Sequence, residues 1–250
     1  MKIAHGSLMR IINKHVSFND VESYLNEYYK EDDSTIILGY LLCSYQEVIE
    51  IKRASKKLII FQLEQISNHL NNMNPHWLNI LFEADEIWDY NEGNKIKLVE
   101  EGLIPSKIIK FSYTKSLNRI IHKENKDIDV LFYGSLNSKR LEILNQLKKV
   151  CNLKIITNSF TNELDEYISR SKIVLNIHYY EMDVQEQVRI FYLLCNGCCV
   201  ISEFNTINNF GNFIFNVNRD KIVETVLSQL NNDNYKNMMN LVKTGWMKCL

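Results

Sequence analysis

The sequence predicts an α/β protein made of two Rossmann-like domains facing each other across a cleft, with a small N-terminal domain. Short apolar runs of strand length alternate with amphipathic stretches of helix length, the pattern of parallel strands joined by crossover helices. The rhythm stops at a polar, charge-rich stretch, residues 122–127, and restarts after it. The 250 residues are 46% hydrophobic and 24% charged, enough apolar material for one large or two small packed cores. The expected domains are therefore residues 1–122 and 127–250.

In the first half, residues 36–40 read as a buried strand, 57–61 as a second, 85–90 as a shorter and more polar third, and 108–111 as a fourth. Helical patterns at 21–29, 45–55, 77–83 and 94–101 lie between them, and Gly102 with Pro105 just beyond closes the last. Trp77 and Trp88 are expected in the core. The second half gives four βα units. Strands at 130–133, 153–156, 173–177 and 199–201 alternate with helices at 139–150, 162–169, 184–195 and 221–230. In the first of these helices, positions 141, 144 and 147 carry the apolar stripe.

Composition excludes several function classes. The net charge of −1 does not supply a broad polyanion-binding surface, so no nucleic-acid partner is expected, although a local anion pocket needs only a few donors. No apolar run approaches the roughly 18 residues that span a bilayer, and residues 1–6 show no signal-peptide core. A cytoplasmic location with at most peripheral membrane contact is expected. Cys195 and Cys198 have CxxC spacing, but no second pair or histidine set completes four ligands, so no metal site is expected. The cysteines at 43, 151, 195, 198, 199 and 249 read as reduced core thiols.

Open α/β sheets bind ligands beyond the carboxyl ends of their strands, which selects the polar residues to consider. In the second half these are Gly134 and Ser135, then Asn158 and Ser159, then His178, Tyr179 and Tyr180, and finally Glu203. Gly134–Ser135 opens onto a helix whose first N–H groups suit an anion, with Arg140 in reach; the alternative is a tight turn with a solvated arginine. Arg189 lies one turn after Glu186, near the start of its helix, where a cation opposes the helix dipole. A bound phosphate accounts for that placement, since a guanidinium binds oxyanions in a bidentate way; a Glu186–Arg189 surface pair is the alternative. His178 is a structural hydrogen-bonder or a site residue. Tyr179 and Tyr180 stack on a ligand or pack partly into the core. In the first half, Glu64 follows a strand and is either a general base or a helix N-terminal charge. His5 joins the same edge if residues 2–4 form a strand.

The run Asp129-Val130-Leu131-Phe132-Tyr133-Gly134-Ser135-Leu136-Asn137-Ser138-Lys139-Arg140 is similar to the opening of the donor-binding domain of GT-B glycosyltransferases, the nearest group being bacterial and viral CgeB-like transferases. The segments 175–180, 186–194 and 196–203 resemble the same group, as do 61–65 and 84–91 for the acceptor domain. The resemblance implies sugar transfer from a nucleoside-diphosphate donor, UDP- or GDP-linked, to a hydroxyl of a glycan, lipid-linked or protein acceptor, with no metal or other cofactor. Gly134, Ser135, Arg140 and Arg189 would hold the diphosphate. Asn158 and Tyr179 would lie near the base or ribose, and Glu203 near the ribose or sugar. His178 and Glu186 would complete the donor site. Residues 1–122 would be the acceptor side, with Glu64 or His5 as catalytic base. One departure matters: the retaining-type Glu-x7-Glu pattern is absent, because counting from Glu186 reaches Leu194. The resemblance thus implies neither retention nor inversion. The alternative function is a non-catalytic nucleotide- or glycan-binding module on the same scaffold. A sugar-nucleotide epimerase is disfavoured, since no glycine-rich dinucleotide fingerprint follows the first strand.

Overall fold

The computed structural model describes residues 1–5, 16–29, 33–63, 66, 75–157, 162–180 and 185–248, with the side chains of 5, 16, 17 and 162 left aside. The chain divides into two compact units, Met1–Phe111 and Ser112–Leu250. The polar stretch at 122–127 lies inside the second unit. Asn196 there accepts the N–H groups of Arg119 and Ile120 at 3.0 and 2.9 Å, and Lys126 donates to the carbonyls of Ser169 and Ser171. Charge density marks exposed chain, but these backbone bonds decide which core the segment belongs to.

The first unit carries a parallel sheet of β1 (Lys2–His5), β2 (Ser34–Leu38), β3 (Lys57–Gln62), β4 (Glu86–Asp89) and β5 (Lys107–Ile108), in that spatial order. Its helices are α1 (Val16–Tyr28), α2 (Tyr45–Arg53), α3 (Pro75–Phe82) and α4 (Glu92–Glu100). Alternation along β3 sends Leu58 and Ile60 into a core with Val48 of α2, Ile80 and Leu81 of α3 and Leu98 of α4; Trp77 packs partly buried against it. Phe61 turns to the other face, where Trp88, Phe111 and Tyr24 of α1 form an aromatic cluster with centroids 5.2–6.4 Å apart. Ser44 caps α2 with Glu47 as its reciprocal partner.

The second unit holds β6 (Ile128–Tyr133), β7 (Leu153–Ile156), β8 (Ser171–Asn176), β9 (Val200–Glu203) and β10 (Phe215–Val217), all parallel, in the order β10-β9-β8-β6-β7. Helices α5 (Ser138–Leu147), α6 (Asn162–Arg170), α7 (Gln187–Cys195), α8 (Ile222–Leu230) and α9 (Tyr235–Thr244) belong to it. Strand β10 and helix α9 were not expected from the sequence. The buried face of α5 is Arg140, Ile143, Leu144 and Leu147, not the 141-144-147 stripe: Leu141 is 38% exposed and Arg140 takes the inward place.

No helix among the described residues is long and apolar enough to cross a membrane. Cys43, Cys151, Cys195, Cys198 and Cys199 are free thiols; burial pushes Cys198 up to about 12, so it stays protonated.

Candidate functional site

The strand order of the second sheet reverses between β6 and β8. A crossover leaves β6 toward β7, and the next element returns on the opposite side, which opens a crevice at the carboxyl ends of β6 and β8. Arg140, Asn176, His178, Glu186, Arg189 and Glu203 meet there.

Gly134 ends β6 at φ +133°, a conformation that L side chains rarely adopt. A methyl group built on it would stand 3.1 Å from Arg189 Nη2 and 3.4 Å from Arg140 Nη1, so two guanidinium groups converge over its Cα. The arginines differ in what they can still do. Arg140 is 2% exposed. Its Nε and Nη2 donate to the Ile177 carbonyl at 2.9 and 2.5 Å, its Nη1 to the Ser135 carbonyl at 2.8 Å, and its Nη2 also meets Glu186 at 3.3 Å. The rings of Phe132 and Tyr179 lie 5.3 and 5.2 Å from its guanidinium carbon. Arg140 therefore pins the β6–α5 turn to the end of β8, and its donors are spent on backbone. Arg189 sits in the first turn of α7, gives Nη1 to Asn176 Oδ1 at 3.0 Å, and lies 5.0 Å over the Tyr133 ring. Among the described residues it has no carboxylate partner.

The carboxylate that would have paired with it is taken. Glu186, the N-cap residue of α7, accepts from His178 Nδ1 at 2.7 Å and from Asn176 Nδ2 at 3.1 Å, besides Arg140. Burial would raise its pKa, but the His178 hydrogen bond and charge and the Arg189 charge bring it down to about 2. Burial would lower the His178 pKa; the hydrogen bond to Glu186 and the charges of Glu186 and Glu203 raise it instead. His178 Nε2 faces the Phe204 carbonyl at 3.3 Å. Glu203, closing β9, accepts the His178 backbone N–H at 3.0 Å and meets Lys139 and Arg219 at 3.4 and 3.7 Å.

The expected residues thus fall into groups. Gly134, Arg140, His178, Glu186 and Arg189 form one network, joined at its rim by Glu203. Ser135 supplies its carbonyl to Arg140, and Tyr179 is 37% exposed beside it, edge-on to Tyr180 at 5.0 Å. The α5 N-terminus does not offer all of its N–H groups, because Asn137 Oδ1 accepts that of Arg140 at 2.8 Å. Asn158 and Ser159 lie outside the described residues, as do Glu64, Gln65 and Cys249. His5 is the last residue of β1, paired with Leu38; its side chain lies outside the description as well.

Sequence reasoning missed Asn176. It is fully buried and holds three partners in place, Glu186, Ser202 Oγ at 3.0 Å and Arg189. The available signal was an amide inside the apolar run 173–177. It also missed Gln185 and Gln187. Both are buried on either side of Glu186, and among the described residues their amide oxygens and nitrogens have no hydrogen-bond partner. Each such group costs about 1–3 kcal/mol, so the turn into α7 carries unmet polar demand. Among the described residues no group of three or more His, Cys, Asp or Glu is placed to hold a metal ion.

Two five-stranded parallel Rossmann-like sheets, the second with a switch-point crevice, define a GT-B-type α/β fold. No family model matches the chain, and no curated protein does. Solved structures do. An α-glucosyltransferase in complex with UDP and a 13-mer DNA containing an HMU base is similar over 91% of this chain and 79% of its own, at 9% identity and a TM-score of 0.56. An α1,3-fucosyltransferase with GDP matches over 96% and 81% at 12% identity and a TM-score of 0.47. The UDP-GlcNAc 2-epimerase of Neisseria meningitidis bound to UDP-GlcNAc matches over 90% and 75% at 13% identity and a TM-score of 0.49. At 9% identity the first of these likenesses shows the fold alone.

Proposed function

We propose that the chain is a glycosyltransferase that takes a nucleoside-diphosphate sugar at the β6–β8 crevice and passes the sugar to a hydroxyl acceptor. The observation that carries the reading is Arg189. Arg140, Lys139 and Arg219, the cations around it, are each matched to a carboxylate, and Arg189 is aimed over the bare Cα of Gly134 with donors to spare. A diphosphate there would meet a preorganised guanidinium and the N-terminal end of α7, which stabilise the charge that develops on the leaving group. The orphaned amides of Gln185 and Gln187 are the nearest further donors in sequence to that turn. Exposed Tyr179, Tyr180 and Phe204 offer flat apolar surface for a base beside the strand ends. Arg140 acts as a positioning residue for the loop, and Glu186 with His178 sets the electrostatic floor. Asn158 would add a contact to the base or ribose. Glu64 or His5 would deprotonate the acceptor, a glycan, lipid-linked or protein hydroxyl.

A thermal-shift series with UDP, GDP, CMP and TDP sugars tests the reading. A donor at about 100 times its Kd stabilises the fold by roughly 2.7 kcal/mol. One nucleotide class is expected to shift wild type and to leave Arg189→Ala unmoved; no shift with any of them overturns the assignment. Slow donor hydrolysis by wild type, lost in Glu64→Gln, separates an enzyme from a binding module that holds the donor without turnover.

A further inference from the structure

The opposite edge of the second sheet, at the amino ends of its strands, carries a second concentration of positive charge. A cavity of about 260 Å3 is lined there by His122, Glu124 and Lys126 from the chain entering β6, and by Tyr235, Met239 and Lys243 of α9; Glu124 is the one carboxylate of the lining and is exposed. Lys126 is the unusual member. Its three N–H groups go to the Ser169 and Ser171 carbonyls, both at 2.9 Å, and to His122 Nδ1 at 3.0 Å. Neutral acceptors therefore satisfy its hydrogen bonds, and among the described residues no carboxylate pairs its charge. His122 cannot share that charge. Its Nε2 donates to the Asn196 carbonyl at 2.7 Å while its Nδ1 accepts from Lys126, which fixes the neutral ring. Burial and the neighbouring Lys126 charge push it down to about 4. Burial, and to a lesser degree Lys243, likewise pull Lys126 down to about 8.

Lys243 is the second unpaired cation. It stands in the last turn of α9 with its stem against Gly197, and no described carboxylate meets it. Two further lysines at the rim, Lys123 and Lys236, are partly offset by Glu166 at 3.8 Å and Asp233 at 2.7 Å. Like charges gathered around one cavity with two of them uncompensated repel each other, and an anion relieves the repulsion. Tyr235 and Met239, both buried, give one wall an apolar character. The volume suits a small anion whose oxygens accept from the Lys243 ammonium while its charge lies near that of Lys126.

We propose that this cavity is a second ligand site, distinct from the β6–β8 crevice, which takes a small phosphate-bearing anion between Lys126 and Lys243. Lys126 supplies fixed potential, and Lys243 supplies free donors.

Calorimetric titration with inorganic phosphate and with pyrophosphate, at ionic strength held constant with sodium chloride, tests the site in Arg189→Gln, where the crevice no longer competes. One saturable binding event is expected to persist in that variant. Adding Lys243→Gln, a change at an exposed position, weakens it about tenfold, or roughly 1.4 kcal/mol. Lys126→Met abolishes it; because Lys126 also anchors backbone, its melting temperature is measured alongside, and the exposed Lys243→Gln carries the decision if Lys126→Met fails to fold. Absence of saturable binding in Arg189→Gln, or binding that Lys243→Gln leaves unchanged, overturns the proposal. Neither outcome bears on donor binding at the crevice, which wild type reports separately through its nucleotide-sugar shift.

Discussion

Two parallel five-stranded sheets are built in one chain, and they treat buried carboxylates in opposite ways. The first steps through its strands in sequence order, β1 to β5, so among the described strands it has no reversal and no switch-point crevice. At the end of β4 it buries Asp89. Its Oδ1 accepts from the backbone of Tyr90 and Asn91 at 2.6 and 2.8 Å and from Asn94 Nδ2 at 3.1 Å, while Oδ2 has no partner among the described residues. Burial outweighs those bonds and pushes Asp89 up to about 8. The second sheet reverses at β6, and there Glu186 is brought down to about 2 among His178, Asn176 and two arginines. A carboxylate that ties a turn to a strand can sit neutral. One that sets the field of a crevice is kept charged by cations on neighbouring elements.

The largest effect that would break this contrast is at Arg140. Replacing it with Met leaves the Ile177 and Ser135 carbonyls and the Glu186 charge without their shared donor. Removing one partner of a buried ion pair costs about 3–5 kcal/mol, and a urea midpoint that barely moves would show that Arg140 is not the clamp between β6 and β8.

Asp89→Asn addresses the other sheet. An unfolded aspartate releases its proton near 3.8, whereas folded Asp89 holds it to about 8. Between those values the folded state binds the extra proton, so wild-type stability falls as pH rises through the interval. The amide keeps the shape and the Oδ1 acceptor but has nothing to titrate. The expected result is a flatter stability curve from pH 4 to 8, by on the order of a few kcal/mol, measured as denaturant midpoints across that range. Parallel curves for both proteins would mean that Asp89 ionises normally.

Glu186→Gln sharpens the comparison at a finer scale. Wild-type His178 has a raised pKa, so its pairing contributes most below the ordinary histidine value of 6.5 and is lost as pH rises through the folded one. Without the carboxylate, burial dominates and the His178 pKa falls below its wild-type position. A histidine NMR titration reads this directly, and an unmoved His178 would remove Glu186 from the network.

Much of the fold was legible because alternation and strand length are local properties. Strands β2, β3, β6, β7 and β8 fall where their apolar runs lie; Gly134 was marked by its place in a turn between a strand and a helix, and Arg189 by a cation at an unfavourable helix end. Strand β10 was not legible: Phe215–Val217 is only three residues long and exists because β9 offers an edge. The role of Asn176 depends on Ser202 and Glu186, which are distant in sequence, and no local pattern encodes such a meeting. Arg140 was expected within reach of an anion; its donors go to the carbonyls of Ile177, just past β8, and of Ser135 in its own turn, and to Glu186, which no local pattern announces.

The same inversion sets the smallest prediction. Helix α5 was expected to bury residue 141, yet Leu141 is 38% exposed and Ile143 is buried at 3%. The helix has rotated its inward face so that Arg140 reaches Ile177, and Leu141 has moved outward in exchange. Leu141→Gln should therefore change stability by under about 1 kcal/mol, while Ile143→Ala, one turn of the same face as Leu147, should cost about 2–5 kcal/mol. Equal losses at the two positions in the same denaturant series would mean that the apolar stripe, and not the arginine, sets the rotation of α5 and with it the placing of the crevice.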